Sequence, residues 1–249
     1  MSPAAAVATF GARVFAWTGA VLFFTSLVSF VVIYETRFGE PAAPGPSAPA
    51  IVWNLFLFSV FALHHSVFAR LGVRRWVARA IPAGLERSCY VWVASLLLLA
   101  VAAAWQPVSG TIWSVSGAAV WVVRALQLTG LVLSIRSAAF IDIWDLAGVT
   151  MRHPPTDPSQ RHAVAGAPRV EFKATGPYGW VRHPIYLGWL LLVFSVDTMT
   201  MTRLILALAS LAYIVAAIPF EERTLRATSG DAYERYSKQV RWKLVPRVF

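Results

Sequence analysis

Cysteine occurs once in this 249-residue chain, at Cys89, so no internal disulfide can form and no cysteine cluster exists to hold a metal. Cys89 is expected to play a structural part, and no metal site is expected at all. Charge is also scarce. Asp, Glu, Lys and Arg together make 14% of the residues, and the acidic ones number 12 against 22 basic. No Gly-x-Gly-x-x-Gly follows a strand-like run, and no internal repeat is evident. What fills the space is apolar: 57% of the chain, with mean hydropathy +0.60. Soluble domains run at about 45–50%. The composition therefore describes an all-α polytopic integral membrane protein.

Four apolar runs, Val14 to Tyr34, Ile51 to Ala69, Ser88 to Trp105 and Ile112 to Ile135, hold at least 18 residues each, close to the ~20 that a bilayer core requires. Two shorter runs follow a polar stretch, Pro184 to Val196 and Leu204 to Phe220. Only Asp197 to Arg203 separates them, which reads as a tight helical hairpin whose arms tilt or lean on neighbours. Six transmembrane helices are expected, with five as the alternative. On this reading residues 1–249 form one membrane domain. Residues 1–135 are its four-helix part, and residues 136–249 hold a cytoplasmic loop, the hairpin and a C-terminal helix. The apolar run of the first helix is too long for a signal peptide.

Basic residues test that layout. With a cytoplasmic N-terminus, Arg70, Arg74, Arg75, Arg79 and Arg87 fall inside, as do Arg136, Arg152, Arg161, Arg169, Lys173 and Arg182 of the long polar segment. The tail adds Arg223, Arg226, Arg235, Lys238, Arg241, Lys243 and Arg247, while the outer loops Glu35 to Ala50 and Gln106 to Thr111 carry Arg37 alone. This bias implies an even number of spans, both termini cytoplasmic. It accounts for the net charge of +10 through topology and anionic headgroups, with no need of nucleic acid. Arg124, inside the fourth run, is expensive at that depth unless it snorkels or lines a polar cavity, and snorkelling is the expectation.

Chemistry is expected where polar residues gather on the cytoplasmic side. Asp142 and Asp145 follow the fourth run, and a Pro-rich loop leads to Arg182-His183-Pro184 at the start of the fifth. Pro184 suits a first helical position, since its missing N–H would be an orphan there anyway. Arg182, His183 and the backbone N–H groups of that turn form a site for a carboxylate or phosphate. Glu221 and Glu222 end the sixth run, and a hairpin returns them to the same level, although Glu222 also has Arg226 one turn on. Tyr233 and Tyr236, three apart, lie on one face of a helix placed to cover the site as a lid. Taken singly, each feature also has a plain structural use: a helix start, a surface ion pair, an interfacial aromatic anchor.

The string Gly176-Pro-Tyr-Gly-Trp-Val-Arg-His-Pro-Ile-Tyr-Leu-Gly188, then Glu221-Glu222, Leu225, Gly230, Tyr233, Tyr236, Val240 and Pro246, resembles the C-terminal signature of the membrane methyltransferases. That superfamily includes the isoprenylcysteine carboxyl methyltransferases and the phospholipid N-methyltransferases. Upstream, Phe61 to Arg70, Glu86 to Tyr90 and Asp145 to Gly148 are similar to the bacterial methanethiol S-methyltransferases. The resemblance implies an S-adenosylmethionine site surrounded by Gly176, Pro177, Tyr178, His183, Pro184, Tyr186, Gly188 and Glu222. His183 and the helix start would hold the donor's amino-acid end, and Glu222 its ammonium or ribose. Arg182 and Glu221 would face the acceptor or brace the site, with Tyr233, Tyr236 and Asp145 serving as substrate or lid residues. A thiol acceptor must lose a proton, for which His64, His65, Tyr186 and Glu221 are candidates, His65 matching the family position better than His64. The expected activity is methylation of a small membrane-permeable thiol, methanethiol to dimethyl sulfide, in a bacterial inner membrane with the site facing the cytoplasm. The alternatives are a lipid acceptor, either a prenylcysteine carboxylate or a phospholipid amine, and a non-catalytic membrane protein or transporter that keeps the fold.

Overall fold

The computed structural model describes residues 3–68, 73, 81, 84–150 and 174–249, with side chains from Phe10 onward. Arg70, Arg74, Arg75, Arg79, Arg152, Arg161, Arg169 and Lys173, on which part of the charge argument rests, lie outside them.

Its main helices are α1 (Pro3–Glu35), α2 (Ser47–Phe68), α3 (Glu86–Ala104), α4 (Ala119–Ile141), the short α5 (Ile143–Leu146), α6 (Pro184–Phe194), α7 (Met201–Ser229) and α8 (Asp231–Gln239). Among the described residues, five stretches are long and apolar enough to cross a membrane: Phe10–Gly39 and the whole of α2, α3, α4 and α7. Their apolar side chains point outward, with Trp121 78%, Val52 67%, Leu63 65% and Leu128 60% exposed. Water would penalise so much exposed apolar surface, whereas lipid tails do not. The protein is an integral membrane protein.

The apolar runs misjudge three boundaries. Pro184 to Val196, expected as one arm of a hairpin, gives a helix of 11 residues, which at about 1.5 Å per residue reaches about 16 Å, half of a bilayer core. It stops because the chain leaves helical geometry at Ser195 (φ −90°, ψ 72°) and Thr198–Thr200 pairs as a strand, β2, with β1 (Thr111–Ser114). The supposed hairpin turn is thus part of a two-stranded sheet, and the fourth run begins as strand rather than helix. α7, for its part, does not finish at Phe220. It runs nine residues further, so Glu221 and Glu222 sit within a helix of 29 residues.

The chain divides into two compact units, Met1–Ile33, Ser59–Ala104 and Asp142–Gly166 in the first, Tyr34–Phe58, Trp105–Ile141 and Ala167–Phe249 in the second. In the first, the Trp92 indole stacks on Phe15 at 5.5 Å and donates to the Phe15 carbonyl at 3.0 Å. Asp142 caps α5 by accepting from the Trp144 and Asp145 N–H groups. Ser88 then ties the following turn to α3 through the Gly148 carbonyl at 2.6 Å.

The second unit is built on α4 against α6, with α7 beside α6. α4 and α6 cross through Gly130 and Gly188. A Cβ on Gly188 would lie 2.6 Å from the Gly130 carbonyl oxygen, and a Cβ on Gly130 would lie 2.6 Å from that of Gly188. Near the start of α7, the Arg203 guanidinium, 1% exposed, donates to the carbonyls of Tyr34 (2.9 Å), Glu35 (3.0 Å) and Thr198 (2.6 Å). Arg124 does not snorkel as expected. It pairs with Glu35 and, at 2.9 Å, with Asp197, and it also donates to the Gln127 side chain at 2.9 Å. Two carboxylates within reach make pairing cheaper than stretching toward headgroups.

Candidate active site

About 28 Å along α7 from Arg203, at 1.5 Å per residue, the helix presents Glu221 and Glu222 to the start of α6. Pro184 occupies the first turn of α6, as its chemistry dictates, and His183 is the N-cap residue, with no side-chain cap hydrogen bond. The Arg182 Nε donates to Glu222 Oε1 at 2.7 Å. His183 stands between the two carboxylates, Nδ1 3.6 Å from Glu221 Oε2 and Nε2 3.5 Å from Glu222 Oε1. Both separations are longer than an ordinary hydrogen bond. Nε2, although buried, makes no hydrogen bond among the described residues. The Tyr186 ring stacks on His183 at 5.5 Å, and its hydroxyl donates to Glu221 Oε2 at 2.9 Å.

The expected supply of free N–H groups is corrected by the chain's own tail. Arg182 N–H donates to the Trp242 carbonyl and His183 N–H to the Lys243 carbonyl, both at 2.9 Å. Arg182 Nη1 reaches the carbonyls of Ser237 (3.3 Å), Val240 (3.1 Å) and Arg241 (3.3 Å). Arg182 thus joins α6, α7 and the end of α8. Of the anion-binding capacity of the helix start, the Ile185 N–H is left, with no partner among the described residues.

Tyr233 and Tyr236 do share the inward face of α8, packed with Leu225, Ala174 and Val240. The Tyr236 hydroxyl donates to the Tyr178 carbonyl at 2.9 Å. Burial pushes the Tyr236 phenol up to about 12, and burial likewise raises Tyr178 and Tyr233, so all three stay neutral hydrogen-bonding groups near pH 7. Tyr178 lies in the 3₁₀ turn Gly176–Gly179 and stacks on Phe140 at 5.7 Å. Pro177 follows Gly176, whose φ of +57° suits glycine and whose Cβ would press on the Phe140 ring at 3.3 Å. Arg226 fastens α8 by bonding Glu234 at 3.1 Å while reaching Glu222 at 3.4 Å, so the pairing of Glu222 with Arg226 is present beside the stronger one with Arg182.

The structure therefore collects Tyr178, Arg182, His183, Pro184, Tyr186, Glu221, Glu222, Tyr233 and Tyr236 in one unit. Gly188, in the same unit, spends its missing side chain on the contact with Gly130. His65 and Asp145 belong to the first unit. There the Tyr90 hydroxyl lies 2.6 Å from His65 Nδ1, and the Asp145 carbonyl accepts from Arg87 Nε at 3.0 Å. Sequence reasoning missed the tail carbonyls, because every residue carries one. It also missed Tyr90 as the partner of His65, and here a signal existed: a tyrosine within an apolar helix needs a partner for its hydroxyl.

Residues 157–227 match the isoprenylcysteine carboxyl methyltransferase (ICMT) family. The chain is 36% identical over 221 residues to methanethiol S-methyltransferase 2 of Bradyrhizobium diazoefficiens, which covers 89% of this chain and 82% of that protein. It is 36% identical over 207 residues to the methanethiol S-methyltransferase of Mycobacterium tuberculosis, 81% and 80% covered respectively. Nurim of Rattus norvegicus is more distant, 26% identical over 238 residues, with 81% of this chain and 88% of that one covered. No solved structure matches the chain. The family match and these relatives, on a chain of membrane-spanning helices, mark a membrane methyltransferase. The chain belongs to the family of the methanethiol S-methyltransferases.

Proposed function

We propose that the protein transfers a methyl group from S-adenosylmethionine to methanethiol, forming dimethyl sulfide, at the cytoplasmic side of a bacterial inner membrane. The observation that carries this reading is the meeting of Arg182-His183 with Glu221-Glu222 around one histidine, in a chain whose relatives over most of its length are named for that reaction. The residues present fit such a donor. The His183 Nε2, which makes no hydrogen bond among the described residues though Glu222 lies 3.5 Å away, and the Ile185 N–H offer donors to a carboxylate, Glu222 offers an acceptor to an ammonium or ribose hydroxyl, and Tyr178 with Pro177 offers an apolar wall. Bound there, the donor supplies an electrophilic methyl group on a sulfonium. Positive charge is dispersed as the methyl moves to a neutral thiol, so a site walled by lipid-facing helices and a tyrosine-lined lid favours the step by keeping water out. Aligning sulfur and methyl carbon at about 3–3.5 Å provides much of the rest.

Headspace gas chromatography of cells expressing the protein and supplied with methanethiol tests the reading. Dimethyl sulfide well above an empty-vector control is expected. A yield equal to the control removes methanethiol as the acceptor.

A further inference from the structure

The two neighbouring carboxylates of α7 have opposite surroundings, and this divides their work. Successive helical residues point about 100° apart, so Glu222 turns inward and Glu221 outward. The Glu222 side chain is 3% exposed and held by Arg182 and Arg226. The Glu221 side chain is 44% exposed, and its contacts with the Tyr186 hydroxyl and His183 Nδ1 both fall on Oε2. Its Oε1 takes no hydrogen bond among the described residues.

We infer that Glu221 is the proton acceptor of the thiol methylation proposed above, with Tyr186 as its positioning residue. A proton acceptor needs an uncommitted lone pair, a fixed orientation and a route to water. Glu221 has all three, through Oε1, the Tyr186 hydrogen bond and its exposure. Glu222 is enclosed and neutralised by two arginines. Arg182 has no lone pair to offer, and the Tyr186 hydroxyl already gives its own proton to Glu221.

A carboxylate is basic enough because the thiol does not ionise beforehand. As the acceptor sulfur uses a lone pair to bond the methyl carbon, that carbon's bond to the donor sulfonium breaks, leaving the donor a neutral thioether. The S–H proton becomes strongly acidic as positive charge gathers on the acceptor sulfur. It passes to Glu221, which releases it to water. One S–C bond forms, one breaks, and the proton ends in solvent.

The test compares purified wild type, Glu221→Gln and Tyr186→Phe with S-adenosylmethionine and methanethiol between pH 6 and 10, with donor affinity measured separately by calorimetry. The groups facing Glu221 are Tyr186 and His183 from the start of α6 and Tyr178 from the 3₁₀ turn. At pH 7, Glu221→Gln is expected to lower kcat about 10²–10⁴-fold while donor Kd stays within about twofold. The deficit should narrow toward pH 10, where solution supplies thiolate directly. Tyr186→Phe should lower kcat less, with donor affinity unchanged. A Gln variant with wild-type kcat at pH 7, or a deficit that does not change with pH, overturns the assignment and leaves the methyltransferase reading standing. Wild type that binds the donor yet forms no product overturns both.

Discussion

At the scale of the residue, the adjacent glutamates show how position on a helix decides what a carboxylate costs. Glu222 is buried, and its charge is sustained by the Arg182 guanidinium at 2.7 Å with His183 and Arg226 close by. Removing one partner from such a pair leaves an uncompensated buried charge, which typically costs about 3–5 kcal/mol. Thermal unfolding in detergent should therefore show Glu222→Ala markedly destabilised. Glu221→Ala should stay within about 0.5 kcal/mol of wild type, as surface changes do. Equal losses in both variants would mean that Glu222 is not held as described. Arg182 itself is occupied on every side by the chain's own acceptors, Glu222 and three carbonyls around the end of α8. Its contribution is to fix the start of α6 and the end of α8 against one another.

Between elements, α4 and α6 approach so closely that each needs a glycine where the other's backbone passes. Gly188→Ala should lose about 1–3 kcal/mol by overpacking, because its Cβ lands 2.6 Å from a carbonyl oxygen. Gly11→Ala on α1, where nothing lies within 4 Å, should be neutral or gain up to about 1 kcal/mol from helix propensity. A Gly188→Ala variant as stable as Gly11→Ala would refute the crossing. The sequence resemblance had linked Gly188 to the donor, and the geometry shows why a glycine suits that position for packing alone.

Elements were legible to the extent that hydropathy carries them. The long runs on α1, α2, α3 and α4 stood out because a bilayer demands about 20 apolar residues in a row, whereas the run on α7 read as a short hairpin arm. The ends were not. α7 continues past Phe220 into Glu221 to Ser229, since helical hydrogen bonds do not stop where apolarity does. Trp113 and Ser114 counted as helix but pair as strand with Met199 and Thr198. Charged and aromatic site residues could be found in the sequence because few side-chain types carry that chemistry. The hold that the Trp242 and Lys243 carbonyls keep on Arg182 and His183 could not, since it is made by backbone.

Across the whole molecule, two polar assemblies sit at opposite ends of α7. One, around Arg203, Arg124, Glu35 and Asp197, is closed on itself, each guanidinium matched to carbonyls or carboxylates. The other, around His183, keeps a buried ring nitrogen without a hydrogen-bond partner and a carboxylate open to solvent. That contrast is the reason for proposing the second assembly, and not the first, as the ligand site. The central claim is that the second assembly grips a charged methyl donor, and titration calorimetry with S-adenosylhomocysteine, the demethylated donor, tests it most directly. Wild type in detergent should bind, and His183→Ala, with its unfolding transition retained, should bind at least about tenfold more weakly, the value of one hydrogen bond to a charged group. Equal affinity in the two proteins, or no binding to wild type, would contradict the account.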